Sequence, residues 1–304
     1  MHVDRTEEGE IIKMERGSME LAGLRIHEGF HERLKKGGFS GRVHSVFQKA
    51  VNIMDEEEVL YTLLSTEMDE GPMALQVNAA NLSALMIRPG DPVNGDADRL
   101  TLGPVRFTLR DVPVYELLQE EYVPSPFLSE NLTRARAVLE TRKEKEQSAY
   151  EVEMNRVLKE RVSSLKQAFL EENTDGILSA SYSLVGLGPG LTPSGDDVLL
   201  GILTILNRKN HPYEQFRPLF EEIVDYARMQ TNVLSYYGLR RAYDGFIRKD
   251  ITDFASALLK KEKFQQELER ILMIGHSSGQ DITEGILMML EIIETRKKEC
   301  NNGN

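Results

Sequence analysis

Between residues 20 and 115 short apolar runs alternate with turn residues: R-V-H-S-V-F, E-V-L-Y-T-L-L, M-A-L-Q-V, S-A-L-M-I-R and P-V-R-F-T-L. Runs of this length, bounded by turn signals, predict strands. In the last of them Val105, Phe107 and Leu109 alternate with polar positions, the two-residue period of a half-buried strand. Pro89-Gly90 and Asn94-Gly95 read as turns between them. This half predicts a mostly antiparallel sheet or small barrel, with the strand order left open. Pro124 and Pro126 mark a junction, and from Ser129 onward the sequence turns helical and charged. Helices are predicted over 149–172, 194–208, 213–229, 231–244, 251–261, 263–274 and 278–298. The stretch E-T-R-K-E-K-E at 140–146 reads as a solvated helix face. The predicted class is α+β with segregated halves, residues 1–125 forming a β-rich domain and 126–304 an all-α one.

Two predicted helices begin with related loops. The first is G-L-G-P-G-L-T-P-S-G-D-D at 186–197, followed by an apolar run from Val198; the second is I-G-H-S-S-G-Q-D-I-T-E-G-I-L at 274–287. Without a gap, Ser194, Gly195, Asp197, Gly201, Ile202 and Leu203 match Ser278, Gly279, Asp281, Gly285, Ile286 and Leu287. This predicts an internal pseudo-repeat, with the two helix starts side by side and Gly201 near Gly285 where the helices cross. Capping alone explains part of the pattern. Ser194-x-x-Asp197 and Ser278-x-x-Asp281 both fit a capping box, and Thr192-Pro193 offers another helix start. On that account an alanine at Gly279 would be tolerated.

Capping does not explain the glycines ahead of the helix. Gly186, Gly188 and Gly190 permit positive φ, which turns successive N–H groups toward one point, and a helix N-terminus adds partial positive charge there. Thr192, Ser194, Ser277 and Ser278 add hydroxyl donors. The spacing Gly190-L-T-P-S-Gly195 imitates a P-loop, yet Asp196 stands where that motif needs lysine, and no β-α-β context supports a Rossmann turn. The acids Asp196 and Asp197 would repel a bare phosphate. They leave three options: Mg²⁺, an amide NH₂ as donor, or inward capping.

Composition narrows the partners. A net charge of −12 argues against nucleic acid and anionic membrane, which need clustered Lys/Arg. The single Cys300 lies in a polar tail, so no disulfide framework or cysteine metal site is expected, and the six histidines lack zinc-ligand spacing. The charged amino terminus does not read as a signal peptide, and the apolar run Val198–Leu206 is too short for a membrane span. A cytoplasmic protein is expected.

The loop at 186–197 resembles the signature of the oxamate carbamoyltransferase AllH-subunit family. The resemblance extends to G-R-V-H-S-V-F-Q-K-A-V-N-I at 41–53, to T-N-V-L-S at 231–235 and to the second loop. It implies one subunit of a complex of allantoin breakdown that converts oxalurate and phosphate to oxamate and carbamoyl phosphate. It also implies acyl-CoA-synthetase-like partner subunits and a small anionic substrate. The ligand class agrees with the loops: phosphate seeks N–H and hydroxyl donors, and a carbamoyl NH₂ seeks acceptors such as Asp197 or Asp281. The candidate binding residues are Gly188, Gly190, Thr192, Ser194, Gly195, Asp196, Ser277, Ser278 and Gly279. The candidate catalytic groups are His276, Asp197 and Asp281, with no dedicated metal site and Mg²⁺ as the one cofactor the acids would admit.

Neither loop holds a lysine or arginine, so Arg240, Arg241 or Arg42 would have to supply positive charge. His44 reads as a polar strand residue. Thr231 and Ser235, four apart on one helical face, either face the loops or, as the preferred reading, bond back within one helix. Two further readings stay open, a non-catalytic scaffold or regulatory subunit and a Mg²⁺-dependent phosphotransferase.

Overall fold

A computed structural model describes residues 5–6, 9–10, 12–13, 19–118, 120–142 and 148–302. The chain separates into two compact units, residues 1–117 and 118–304. Among the described residues no helix is long and apolar enough to cross a membrane.

The first unit is a barrel. After the two-residue strands β1 (Arg5–Thr6), β2 (Gly9–Glu10) and β3 (Ile12–Lys13), its staves are β4 (Met19–His27), β5 (Phe39–Val46), β6 (Ala50–Asp55) and β7 (Leu60–Leu64). They continue with β8 (Ala74–Val77), β9 (Pro92–Gly95), β10 (Arg99–Leu102) and β11 (Val105–Thr108), and β12 (Val114–Tyr115) follows. The strand order β11-β10-β9-β5-β6-β7-β8-β4 closes on itself because β11 also pairs with β4. The β4–β11, β4–β12 and β7–β8 pairs are parallel, and the other pairings of this sheet are antiparallel. Closure removes the sheet edges that would otherwise invite aggregation. Along β11 the alternation is borne out: Val105 and Phe107 are buried, while Arg106 and Thr108 are half-exposed.

The sequence pattern misplaced some elements. Helix α1 (Glu28–Lys35) was not anticipated; its Phe30 and Leu34 join the barrel's apolar cluster, with Phe30 stacked 4.6 Å from Tyr61. The run S-A-L-M-I-R is not a strand. Asn81 accepts the Ser83 N–H and opens a 3₁₀ turn over Leu82–Leu85, after which Met86 takes φ 56°. Asn94-Gly95 lies inside β9 rather than in a turn, and the turn falls instead at Asp96, whose Oδ1 accepts the N–H groups of Asp98 and Arg99.

The second unit is helical: α2 (Leu128–Arg142), α3 (Ala149–Leu170), α4 (Thr174–Leu184), α5 (Ser194–Leu206), α6 (Leu219–Gln230), α7 (Val233–Tyr243), α8 (Lys249–Lys260), α9 (Gln265–Ile271) and α10 (Ser278–Asn302). The chain is therefore α+β with segregated halves, as its periodicity predicts. Helix α4 was missed; Asn173 caps it by accepting the Gly176 N–H. The helix expected over 213–229 is two pieces, a 3₁₀ turn at Glu214–Phe216 and α6, separated at Pro218, which has no N–H to carry the first piece onward. Residues 143–147 of the charged stretch lie outside the described residues. Helix α5 is buried on almost every face, which marks it as the central helix of this unit.

Candidate functional site

The two loops share one backbone plan. Helix α4 ends at Leu184, whose carbonyl accepts the Leu187 N–H; the Leu187 carbonyl then accepts the Gly195 N–H at 2.8 Å. Helix α9 ends at Ile271, whose carbonyl accepts the Ile274 N–H; the Ile274 carbonyl then accepts the Gly279 N–H at 2.9 Å. Gly188 and Gly275 follow these turn residues, both at positive φ (119° and 59°), and each lies against the serine that opens the next helix, Ser194 or Ser278. The Asp197 N–H bonds the Pro193 carbonyl as the Asp281 N–H bonds that of Ser277, both at 3.1 Å.

The helices after the loops cross where the pseudo-repeat places them. A Cβ on Gly201 would stand 2.1 Å from the Ile282 carbonyl oxygen, and one on Gly285 would stand 2.1 Å from that of Val198. These contacts are equivalents of each other under the sequence match. The crossing is therefore two-fold in its backbone, and glycine is what lets the two main chains touch.

Gly195 and Gly279 serve the same kind of packing. A Cβ there would meet the Leu184 and Ile271 carbonyl oxygens at 2.0 and 1.9 Å. The expectation that alanine is tolerated at Gly279 is overturned by this clash. Gly190, at φ 99°, instead faces open space at the exposed loop tip beside Leu191.

The capping account of Ser194 also fails. The N-cap of α5 is Pro193 with no side-chain cap bond, so neither a Ser194 box nor a start at Thr192 with Pro193 in first position is formed. A true capping box occurs at Ser148 and Glu151. Accordingly, Ser194→Ala is expected to change unfolding free energy by less than about 0.5 kcal/mol. Asn232→Ala is expected to cost about 0.5–2 kcal/mol, because the Asn232 side chain accepts the Leu234 and Ser235 N–H groups at the start of α7. Denaturant unfolding of the two variants side by side checks both values.

The adjacent acids have separate tasks. Asp196 is buried and saturated: Oδ1 accepts the Gly186 N–H at 2.8 Å, and Oδ2 accepts the hydroxyls of Thr231 and Ser235, both at 2.6 Å. It ties the first loop to the α6–α7 junction. Thr231 and Ser235 are thus not bonding back within one helix as expected; the helix breaks at Thr231, which caps α6 in extended conformation.

Asp197 is the unusual group. It is only 4% exposed, and its Oδ2 is buried with no hydrogen-bond partner. Burial pushes its pKa up to about 8. Hydrogen bonds from Ser278 and Thr192 oppose the rise, whereas the charges of Asp281 and Asp196 add to it. Near neutral pH the carboxyl is therefore mostly protonated and can donate. The Thr192 and Ser278 hydroxyls are also 2.7 Å from each other, which joins the first loop to the second helix start.

Thr192, Ser278, Asp197 and Asp281 are thus gathered at one place. His276 is exposed, and its charge reaches Glu151 at the start of α3. Ser277 is exposed beside it. Arg240 is paired with Asp244 at 3.0 Å, Arg241 lies over the Tyr237 ring, and Arg42, in the barrel unit, donates to the Gly90 carbonyl. His44 is hydrogen bonded to Ser45. What the sequence did not single out is a groove of about 760 Å³ bounded by Asn155, Lys159 and Lys166 of α3 and by Gln280, Asp281 and Glu284 of α10. Its residues lie on charged helix faces, which read as ordinary solvated surface until Asp281 is seen to border them.

These features define a protein with a β-barrel and a helical unit, whose mark is a pair of glycine-loop helix starts rather than a P-loop or a Rossmann turn. Residues 184–290 match a family model described as oxamate carbamoyltransferase subunit AllH, and residues 22–114 match the AllH family N-terminal domain. The chain belongs to the AllH family of oxamate carbamoyltransferase subunits. No solved structure matches it.

Proposed function

We propose that the twin loops form the carbamoyl-handling site of a complex that interconverts oxalurate plus phosphate with oxamate plus carbamoyl phosphate. The observation that carries this reading is the Thr192–Ser278 hydroxyl pair beside the protonated Asp197. A phosphate oxygen attacks the carbamoyl carbon of oxalurate. The oxyanion that develops needs fixed donors, for which the two hydroxyls and the N–H groups of the first loop are suited. The C–N bond then breaks, and the departing oxamate nitrogen needs a proton. Asp197 holds one at neutral pH, and His276 stands exposed in the second loop. Gly188 and Gly190, at positive φ, provide the backbone form of an anion nest for phosphate. Asp281 accepts from the carbamoyl NH₂. Further subunits complete the enzyme.

Reconstitution of the complex, with and without this chain, tests the reading. With oxalurate and phosphate as substrates, omission should abolish turnover. Thr192→Val and Ser278→Ala should each lower kcat about 10–1000-fold, while the loss of stability stays within the about 1–3 kcal/mol of removing a partner from the buried Asp197. Turnover that needs the chain but ignores both hydroxyls would support the scaffold reading instead. A second reading, Mg²⁺ between Asp197 and Asp281, rests only on the nearness of these two carboxyls. It requires that stabilisation by phosphate depend on Mg²⁺ and vanish in Asp197→Asn.

A further inference from the structure

The barrel unit carries its own candidate anion site, independent of the loops. Between α1 and the ends of β10 and β11 lies a cavity of about 610 Å³ bordered by Arg106, Arg110, Arg99 and Lys35. Three acids, Glu20, Asp96 and Asp98, border it beside these four cations, so the lining holds a net excess of one positive charge in a chain of net charge −12.

Two of the four are committed elsewhere. Lys35 is paired with Glu32 at 2.9 Å and Arg99 with Asp96 at 3.3 Å. Arg106 and Arg110 are not. Arg106 is half-buried, and its Nε is shut off from solvent without a hydrogen-bond partner. Arg110 is exposed and makes no ion pair among the described residues. The natural partner for Arg106 is Glu20, its register neighbour across β4–β11. Glu20 instead accepts the Thr108 hydroxyl at 2.7 Å and forms no ion pair with Arg106. Asp96 is paired with Arg99 and accepts the N–H groups of Asp98 and Arg99, which leaves Glu20 and the exposed Asp98 as the lining acids without an ion pair among the described residues.

Because the Arg106 Nε is sealed from solvent, it is the rest of this side chain that borders the cavity, and a half-buried guanidinium with no ion pair among the described residues favours an anion there. The planar fork of arginine fits the paired oxygens of phosphate or carboxylate, and the cavity is larger than a bare ion needs. No aromatic ring lines it among the described residues, so nothing there would stack a nucleobase. We infer that this cavity binds a small metabolite by an oxyanion head, phosphate or carboxylate, held between Arg106 and Arg110.

Calorimetric titration of the full chain with inorganic phosphate and, separately, with oxalate tests the assignment. Arg106→Gln and Arg110→Gln should each weaken one binding step at least about tenfold, whereas Ser278→Ala should leave that step unchanged. Without ligand, Arg106→Gln should melt no lower than wild type, since it removes a buried, unbonded donor. A step seen only with phosphate identifies a phosphorylated ligand, and one seen only with oxalate a carboxylate. The inference is overturned if neither anion shows a step sensitive to both arginines, or if Arg99→Gln weakens it equally. A drop in unliganded stability with unchanged binding would also overturn it, by making Arg106 a structural counter-charge.

Discussion

Alanine at Gly201 or Gly285 is expected to cost roughly 3 kcal/mol or more and to leave the helical unit unable to fold normally. The added methyl would stand 2.1 Å from a backbone carbonyl oxygen of the crossing helix. A flexible side chain could swing aside; a backbone carbonyl inside a helix cannot. Relief requires α5 and α10 to separate, and α5 is packed on nearly all sides. Gly238→Ala provides the control, because its Cβ would meet only the Leu200 Cδ1 at an ordinary 3.7 Å. There alanine should stabilise by up to about 0.8–1 kcal/mol, the helix-propensity difference. Circular dichroism during denaturant unfolding of the three variants provides the comparison. A Gly201→Ala protein within about 0.5 kcal/mol of wild type would end the claim that the crossing requires glycine.

Asp197→Asn is expected to change how stability depends on pH. In the unfolded chain this carboxyl ionises near 3.8, whereas in the fold it keeps its proton to about 8. Its contribution to stability is whole below the unfolded pKa and declines as pH rises toward the folded one. Across that window the decline approaches about 1.4 kcal/mol per pH unit at its steepest, and it flattens above the folded value. Asparagine has the same shape and donates without ionising. The wild-type protein should therefore lose stability relative to Asp197→Asn between about pH 5 and 8. Parallel pH-dependent curves for the two proteins would contradict the buried, protonated carboxyl. In the reconstituted complex the same variant should lower kcat by about 10²–10⁴-fold if Asp197 delivers the proton, while phosphate still raises the melting temperature.

The periodicity of the chain was enough to separate a strand-rich half from a helical one, because side-chain alternation and helical spacing are local properties. The ungapped match of Ser194–Leu203 with Ser278–Leu287 likewise announced two helices crossing at Gly201 and Gly285, since small residues at equivalent positions allow one geometry on both. Local signals failed where a capping residue competed with an apolar run. Asn81 turned S-A-L-M-I-R into a 3₁₀ turn, and Asn173 started a helix within a stretch without a marked apolar period.

The surroundings of each loop residue come from contacts between segments far apart in sequence. The repeat pairs Asp197 with Asp281 and leaves Asp196 opposite Gln280, but nothing in G-L-G-P-G-L-T-P-S-G-D-D says what either carboxyl touches. One is saturated by Thr231, Ser235 and Gly186, and the other is buried against Thr192 and Ser278 with an oxygen left over. Gly195 and Gly279 read as ligand-facing until the ends of α4 and α9 are placed against them. The sequence by itself determined the fold class, the repeat and the family, all carried by spacing along the chain. Which acid keeps a proton, which glycine packs and which faces solvent depend on burial and on charges brought near by distant helices, and these exist only once the helices have packed.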